Sequence, residues 1–227
     1  MESVQTKTWD FTDGRDDSIL VVTVQELLDA DSDYGLYTWP CATVLSQYLI
    51  HKKMWLKGKA VIELGSGTGL AGLVALRCGA ASVLLTDHAE KRKVLQNCQS
   101  TVESQGYSDM QVCGLTWGHF SPQLLNLRCK VDLIIAADCF YSSKDFEPVL
   151  VTVAYLLETN MAAEFWCTYQ VRSADRSFDF FFEKWQLKCT YVPLSEFTED
   201  ITAACRNGTT NPTEIQLMII TLCKAQD

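Results

Sequence analysis

Ala60-Val61-Ile62-Glu63-Leu64-Gly65-Ser66-Gly67-Thr68-Gly69-Leu70 decides how the rest of the chain reads. It is a short apolar run closed by a glycine, and glycine then returns at every second position. Such a run reads as a buried strand that ends in a tight turn. Glycine lets the backbone of that turn approach a ligand with no side chain in between. Residues 70–78 read as a helix that stops near Gly79, and the start of a helix points unpaired N–H groups at the same place. In a doubly wound sheet, ligands sit beyond the C-terminal ends of the strands, so this turn is a candidate binding site.

The pattern continues downstream. Residues 82–86, 110–116, 132–137 and 164–169 read as strands, and 90–104, 145–157 and 177–185 as helices. Residues 187–192 and 214–223 are two further strands. Strands separated by helices imply βαβ units and a parallel sheet. The two closing strands have no helix between them, which implies an antiparallel hairpin edge. Asn207-Gly208 and Asn211-Pro212 supply turn chemistry in their connection. The expected fold is α/β: a Rossmann-like, seven-stranded, mostly parallel sheet with helices on both faces. Upstream, 41–55 carries Val44, Leu45, Tyr48 and Leu49 at helical spacing, with Pro40 at its start where the missing N–H costs nothing. Residues 19–24 read as a strand and 29–33 as a polar link. The chain thus divides into an N-terminal extension, 1–36, and one domain, 37–227.

Composition narrows the function classes. The formal net charge is -9. A nucleic-acid binder needs a basic stripe to neutralise phosphates, and His51-Lys52-Lys53 and Lys91-Arg92-Lys93 are too short to make one. The acidic balance suits a Lys- or Arg-rich protein partner. None of the ten cysteines forms a Cys-x-x-Cys pair. Several, such as Cys113 and Cys167, sit in apolar runs where a thiol behaves as a small hydrophobe. A disulfide framework and a metal site are therefore not expected. Met1 to Asp17 lack the pattern of a signal peptide, and no apolar run reaches the length of a membrane span. A monomer of cytoplasm and nucleus is the expectation.

The glycine turn fits two motifs. Gly67-x-Gly69-x-x-Gly72 matches the dinucleotide fingerprint, but begins two residues beyond the strand's end. Starting at that end gives Glu63-x-Gly65-x-Gly67-x-Gly69. Asp87 closes the second strand, where a carboxylate can accept hydrogen bonds from both ribose hydroxyls; either motif uses it. Tyr48-x-x-x-Lys52 has dehydrogenase spacing but precedes the glycine turn, so it reads as chance on a helix.

Further residues separate the two. Trp39-Pro40, Leu115-Thr116-Trp117-Gly118 and Ala137-Asp138-Cys139-Phe140-Tyr141 together resemble the class I, seven-strand protein methyltransferases of the methyltransferase-like group. The resemblance runs from about Tyr37 onward. It implies S-adenosylmethionine as cofactor, with Trp39, Glu63, Gly65, Ser66, Gly67, Gly69, Asp87, Trp117 and Ala137 at cofactor-binding positions. An aromatic face suits adenine and attracts the sulfonium. Asp138 and Tyr141 match the Asp-x-x-Tyr motif of lysine-modifying members, which makes them the candidate catalytic pair. The segments 168–175 and 184–194 are similar instead to an arginine-modifying branch that acts on histone H3. Methyl transfer to either side chain rests mostly on positioning and desolvation. A guanidinium stays charged at ordinary pH and must be held by a carboxylate, for which Asp138, Glu147 and Glu164 are the candidates. The expected substrate is a protein, histone H3 by resemblance. Lysine on a chaperone and a catalytically weak partner-binding role are the alternatives.

Overall fold

A computed structural model of the chain describes residues 3–12, 19–28, 34–172, 177–197 and 214–223. The polar link at 29–33, the turn residues Asn207-Gly208 and Asn211-Pro212, and positions 173–176 lie outside the described residues.

The chain opens with β1 (Ser3–Thr12) and β2 (Ile19–Leu28), an antiparallel pair. Then come α1 (Pro40–His51), α2 (Lys53–Leu56), β3 (Ala60–Leu64), α3 (Leu70–Arg77), β4 (Ser82–Asp87), α4 (Arg92–Gln105) and β5 (Met110–Gly114). The second half holds α5 (Pro122–Leu125), β6 (Leu133–Ala137), α6 (Phe146–Thr159), β7 (Glu164–Gln170), α7 (Asp179–Lys184), β8 (Leu187–Val192) and β9 (Ile215–Leu222).

Strands β3 to β9 form one seven-stranded sheet in the order β5-β4-β3-β6-β7-β9-β8. The first five are parallel, and β9 runs antiparallel to both β7 and β8. The expected architecture is present, including the antiparallel edge. From β3 the chain winds outward through β4 and β5, then returns to place β6 on the other side of β3. That reversal is the topological switch point, where a doubly wound sheet holds its ligand.

Side chains alternate across the sheet and feed two cores. Val61, Leu133, Ile135 and Trp166 join one core with α1 and α3. Ile62, Leu64, Ile134, Ala136, Phe165 and Cys167 join the other with α6. Burial on both faces explains why β3 and β6 read as continuous apolar runs. Cys167 is fully buried, as expected of a thiol in an apolar run, whereas Cys113 is half-buried.

Three details differ from the sequence reading. The segment 41–55 is two helices, because Lys52 leaves helical geometry (φ -96, ψ 16). The break lets Leu56 bury and Trp55 pack on Trp166 with ring centroids 4.8 Å apart. The N-terminal extension holds two paired ten-residue strands rather than one short strand. Trp9 and Phe11 of β1 and Val22 and Val24 of β2 point into the same core as α1 and α3. Finally, β9 inserts between β7 and β8. Among the described residues, no helix is long and apolar enough to cross a membrane, and no cluster of His, Cys, Asp and Glu is placed to hold a metal ion.

Candidate active site

The C-terminal ends of β3, β4 and β6 open onto a cavity of about 730 Å³. Gly65, Ser66 and Gly67 line its floor. Gly65 and Gly67 adopt φ +66 and +53, where a side chain is strained. Space forbids one as well. A Cβ on Gly65 would lie 2.9 Å from Cζ2 of Trp117, and one on Gly67 would lie 3.0 Å from the Gly35 carbonyl oxygen. Ser66 fastens the turn to β4. Its amide and its Oγ both donate to the Thr86 carbonyl, at 2.8 and 3.1 Å, and its Oγ accepts from the Thr86 amide at 2.9 Å.

Asp87 lines the cavity at the end of β4. Its Oδ2 accepts from the Gly67 amide at 3.0 Å and its Oδ1 from the His88 amide at 2.8 Å. Trp39 caps the start of α1, and its indole N–H donates to the Tyr34 carbonyl at 2.8 Å. Tyr37 meets the Trp39 ring edge-on at 5.4 Å. Trp117 forms another wall; its indole nitrogen is buried with no hydrogen-bond partner among the described residues.

Two of the residues expected to contact a cofactor lie outside the lining. Gly69 starts α3 in left-handed geometry, against Leu85 and Cys98. Glu63 lies beneath the turn, 1% exposed, where Oε2 accepts from the Gly72 amide at 2.9 Å. Burial pushes its carboxyl up to about 8. The Gly72 bond opposes that rise and the charge of Asp87 adds to it. Strand alternation is the reason: Glu63 faces the same side of the sheet as Val61, toward α3, so it props the turn from below.

The far end of the cavity is built from β6 and β7. Ala137, Asp138 and Tyr141 line it. Asp138 takes φ +59, a geometry that Asp tolerates better than most residues, and its amide donates to the Thr168 carbonyl at 2.8 Å. The turn of chain this allows aims the carboxylate at Arg172. The two form a forked ion pair, Nη1 on Oδ1 at 2.8 Å and Nη2 on Oδ2, and the Gln170 amide adds a longer bond at 3.3 Å. The hydrogen bond to Asp138 raises the Arg172 pKa, although partial burial pulls the other way. Tyr141 stands at the rim, 44% exposed, with its ring 6.4 Å from that of Tyr34.

Arg172 had no role in the sequence reading, because nothing in its neighbourhood shows that the end of β7 lies beside the end of β6. The carboxylates also need correction. Glu147 pairs with Lys184 on the outer side of α6. Glu164 opens β7 at the opposite end of the sheet, accepting from the Trp166 indole N–H at 2.6 Å. Neither lines the cavity. Asp145 and Glu214 do. Glu214 comes from just before β9, a placement that only the inserted strand explains.

The protein family described as lysine methyltransferase matches residues 18–187. A histone-arginine methyltransferase of Xenopus laevis, METTL23, is 45% identical over 212 residues, covering 92% of this chain and 88% of its own. The protein N-lysine methyltransferase METTL21A of Danio rerio is 39% identical over 121 residues, 52% of this chain and 53% of its own. In fold, the chain is similar to the crystal structure of a SAM-dependent methyltransferase from Agrobacterium tumefaciens. The TM-score is 0.58 at 16% identity, over 96% of this chain and 70% of that one.

The residues present fit S-adenosylmethionine. Two glycines leave a floor that a Cβ would fill. Asp87 places a carboxylate at the end of β4, where it would accept from the ribose hydroxyls. Trp39 and Trp117 line the same cavity and would offer apolar faces to the adenine and the sulfonium. When bound, the cofactor supplies an electrophilic methyl group on a positively charged sulfur. The chain belongs to the lysine methyltransferase family, and it is an S-adenosylmethionine-dependent methyltransferase.

Proposed function

We propose that this methyltransferase modifies arginine side chains of histone H3, acting in the nucleus. The observation that carries the reading is the fork between Arg172 and Asp138 at the far end of the cavity. A guanidinium keeps its charge at ordinary pH, so it must be held by a carboxylate and cannot simply be neutralised. Asp138 holds a guanidinium in planar, two-point geometry next to Ala137 and Tyr141. This is the bidentate contact by which arginine, and not lysine, is recognised. Asp145 and Glu214 keep the same wall acidic. The 45% identity to a histone-arginine methyltransferase supports the same substrate class. In this reading the substrate guanidinium exchanges with Arg172 on Asp138, and the Tyr141 hydroxyl orients the attacking nitrogen.

Lysine is the second reading, favoured by Tyr141 in its Asp-x-x-Tyr setting at the cavity mouth. An amine near pKa 10.4 must lose its proton first. Desolvation among Trp39, Tyr34 and Tyr141 would lower that value.

The test is transfer from labelled S-adenosylmethionine to histone H3, followed by hydrolysis and mass spectrometry of the modified residue. Methylarginine is expected. Methyllysine would overturn the arginine reading in favour of the second. No label on H3 or any other protein, with cofactor binding intact, would instead favour a partner-binding role.

A further inference from the structure

The N-terminal hairpin carries a buried acid that reaches the cavity wall without lining it. Glu26 of β2 is 2% exposed. Its Oε1 accepts from the Thr38 amide at 3.0 Å and pairs with Lys7 Nζ at 3.4 Å. The Lys7 ammonium in turn sits 4.7 Å from the Trp9 ring centre and 5.1 Å from that of Tyr37. The Thr38 hydroxyl lies 2.8 Å from the hydroxyl of Thr68, inside the glycine turn, and this pair is buried. One carboxylate therefore fixes the amide just before Trp39, while the side chain of the same threonine fixes the turn.

The hairpin itself is firmly seated. Its inner residues pack with α1 and α3. The Asn97 side-chain amide donates to the Gln25 carbonyl at 2.8 Å, and the Gln25 amide donates to Thr101 Oγ1 at 3.2 Å. Both partners belong to α4. Glu26 is thus anchored to the helices that carry the sheet, and it transmits that rigidity to Tyr37, Thr38 and Trp39. Without it, the Thr38 amide and the Lys7 ammonium would lose a charged acceptor in a dry setting, where an unmade bond is expensive.

We propose that Glu26 is a positioning residue for cofactor binding: it pre-orders the Tyr37–Trp39 wall and, through Thr38 and Thr68, the glycine turn. A pre-ordered wall spares the cofactor the entropy of arranging it. The alternative is that Glu26 merely stabilises the fold, with no effect on the cavity.

Calorimetric titration with S-adenosylhomocysteine separates the two. Glu26→Ala is expected to weaken binding about tenfold. Glu26→Gln keeps an oxygen acceptor at Oε1 and is expected to stay within about threefold of wild type. Hydrogen exchange at the Thr38 amide should speed up in the alanine variant and return toward wild type with glutamine. A folded Glu26→Ala protein that binds as tightly as wild type overturns the proposal. So does a glutamine variant as weak as the alanine one. If Glu26→Ala does not fold, Glu26→Met decides: it fills similar space but offers the Thr38 amide no oxygen acceptor, so binding should weaken about tenfold, and wild-type affinity would refute the coupling.

Discussion

Consider replacing Glu63 by glutamine. The carboxyl is pushed up to about 8 in the folded protein, from an ordinary value of 4.5. Between about pH 5 and about pH 8, the unfolded chain has released this proton and the folded chain has kept it. The folded state then binds more protons, so its stability must fall as pH rises. The advantage is complete below the unfolded value and gone above the folded one. The slope is about 1.4 kcal/mol per pH unit. From pH 6 to pH 7.5 that amounts to about 2 kcal/mol, or about 4–8 °C in melting temperature for a chain of this size. Glutamine has the same shape, can accept the Gly72 N–H and does not titrate. The melting temperature of Glu63→Gln, relative to wild type, should therefore rise by about that amount over the interval. Circular-dichroism melts at half-unit pH steps would measure it. Parallel curves for the two proteins would refute the reasoning, since they would mean that Glu63 is already ionised beneath the turn. Because Glu63 does not line the cavity, cofactor affinity at pH 6 should be close to wild type.

Other expectations follow from the same geometry. Gly67→Arg places a Cβ against the Gly35 carbonyl oxygen and a long side chain on the cavity floor; S-adenosylhomocysteine binding should fall below detection in calorimetry, and retained binding would displace the cofactor from this cavity. Tyr141→Phe should lower turnover about tenfold or more with little change in cofactor affinity, and unchanged turnover would remove Tyr141 from the chemistry. Arg172→Met vacates the Asp138 fork, so KM for an H3 peptide should drop severalfold if substrate and Arg172 compete for that seat. A raised KM would show instead that Arg172 is needed to shape it.

Much of the fold was legible because each core strand carries its own signal. β3 and β6 are buried on both faces and read as uninterrupted apolar runs, and glycine or aspartate closes them. The cavity floor was legible for the same reason, since Gly65, Ser66 and Gly67 directly follow β3 and Asp87 ends β4. What stayed hidden depends on contacts between distant segments. β1 has only Trp9 and Phe11 facing the core among polar neighbours, so its strand character comes from pairing with β2. Glu26 and Arg172 are ordinary charged residues locally; they acquire roles only when β2 meets Thr38 and when the end of β7 reaches Asp138. Glu63 misled for a different reason. It sits inside a motif whose Gly65 and Gly67 line the cavity, but its own side chain lies beneath the turn, toward α3.

The insertion of β9 between β7 and β8 also orders the making of the protein. β8 is synthesised before the strand that attaches it to the sheet, and β7 waits with an open edge until Ile215 to Leu222 emerge. Glu214, part of the acidic wall, arrives with that same segment. The two glycines and Asp87 are in place long before, so a nascent chain would possess the floor of its pocket well ahead of the wall that Glu214 completes. A chain stopped before Ile215 would leave β7 unpaired along one side and β8 without a strand neighbour, a sticky template for association with other chains.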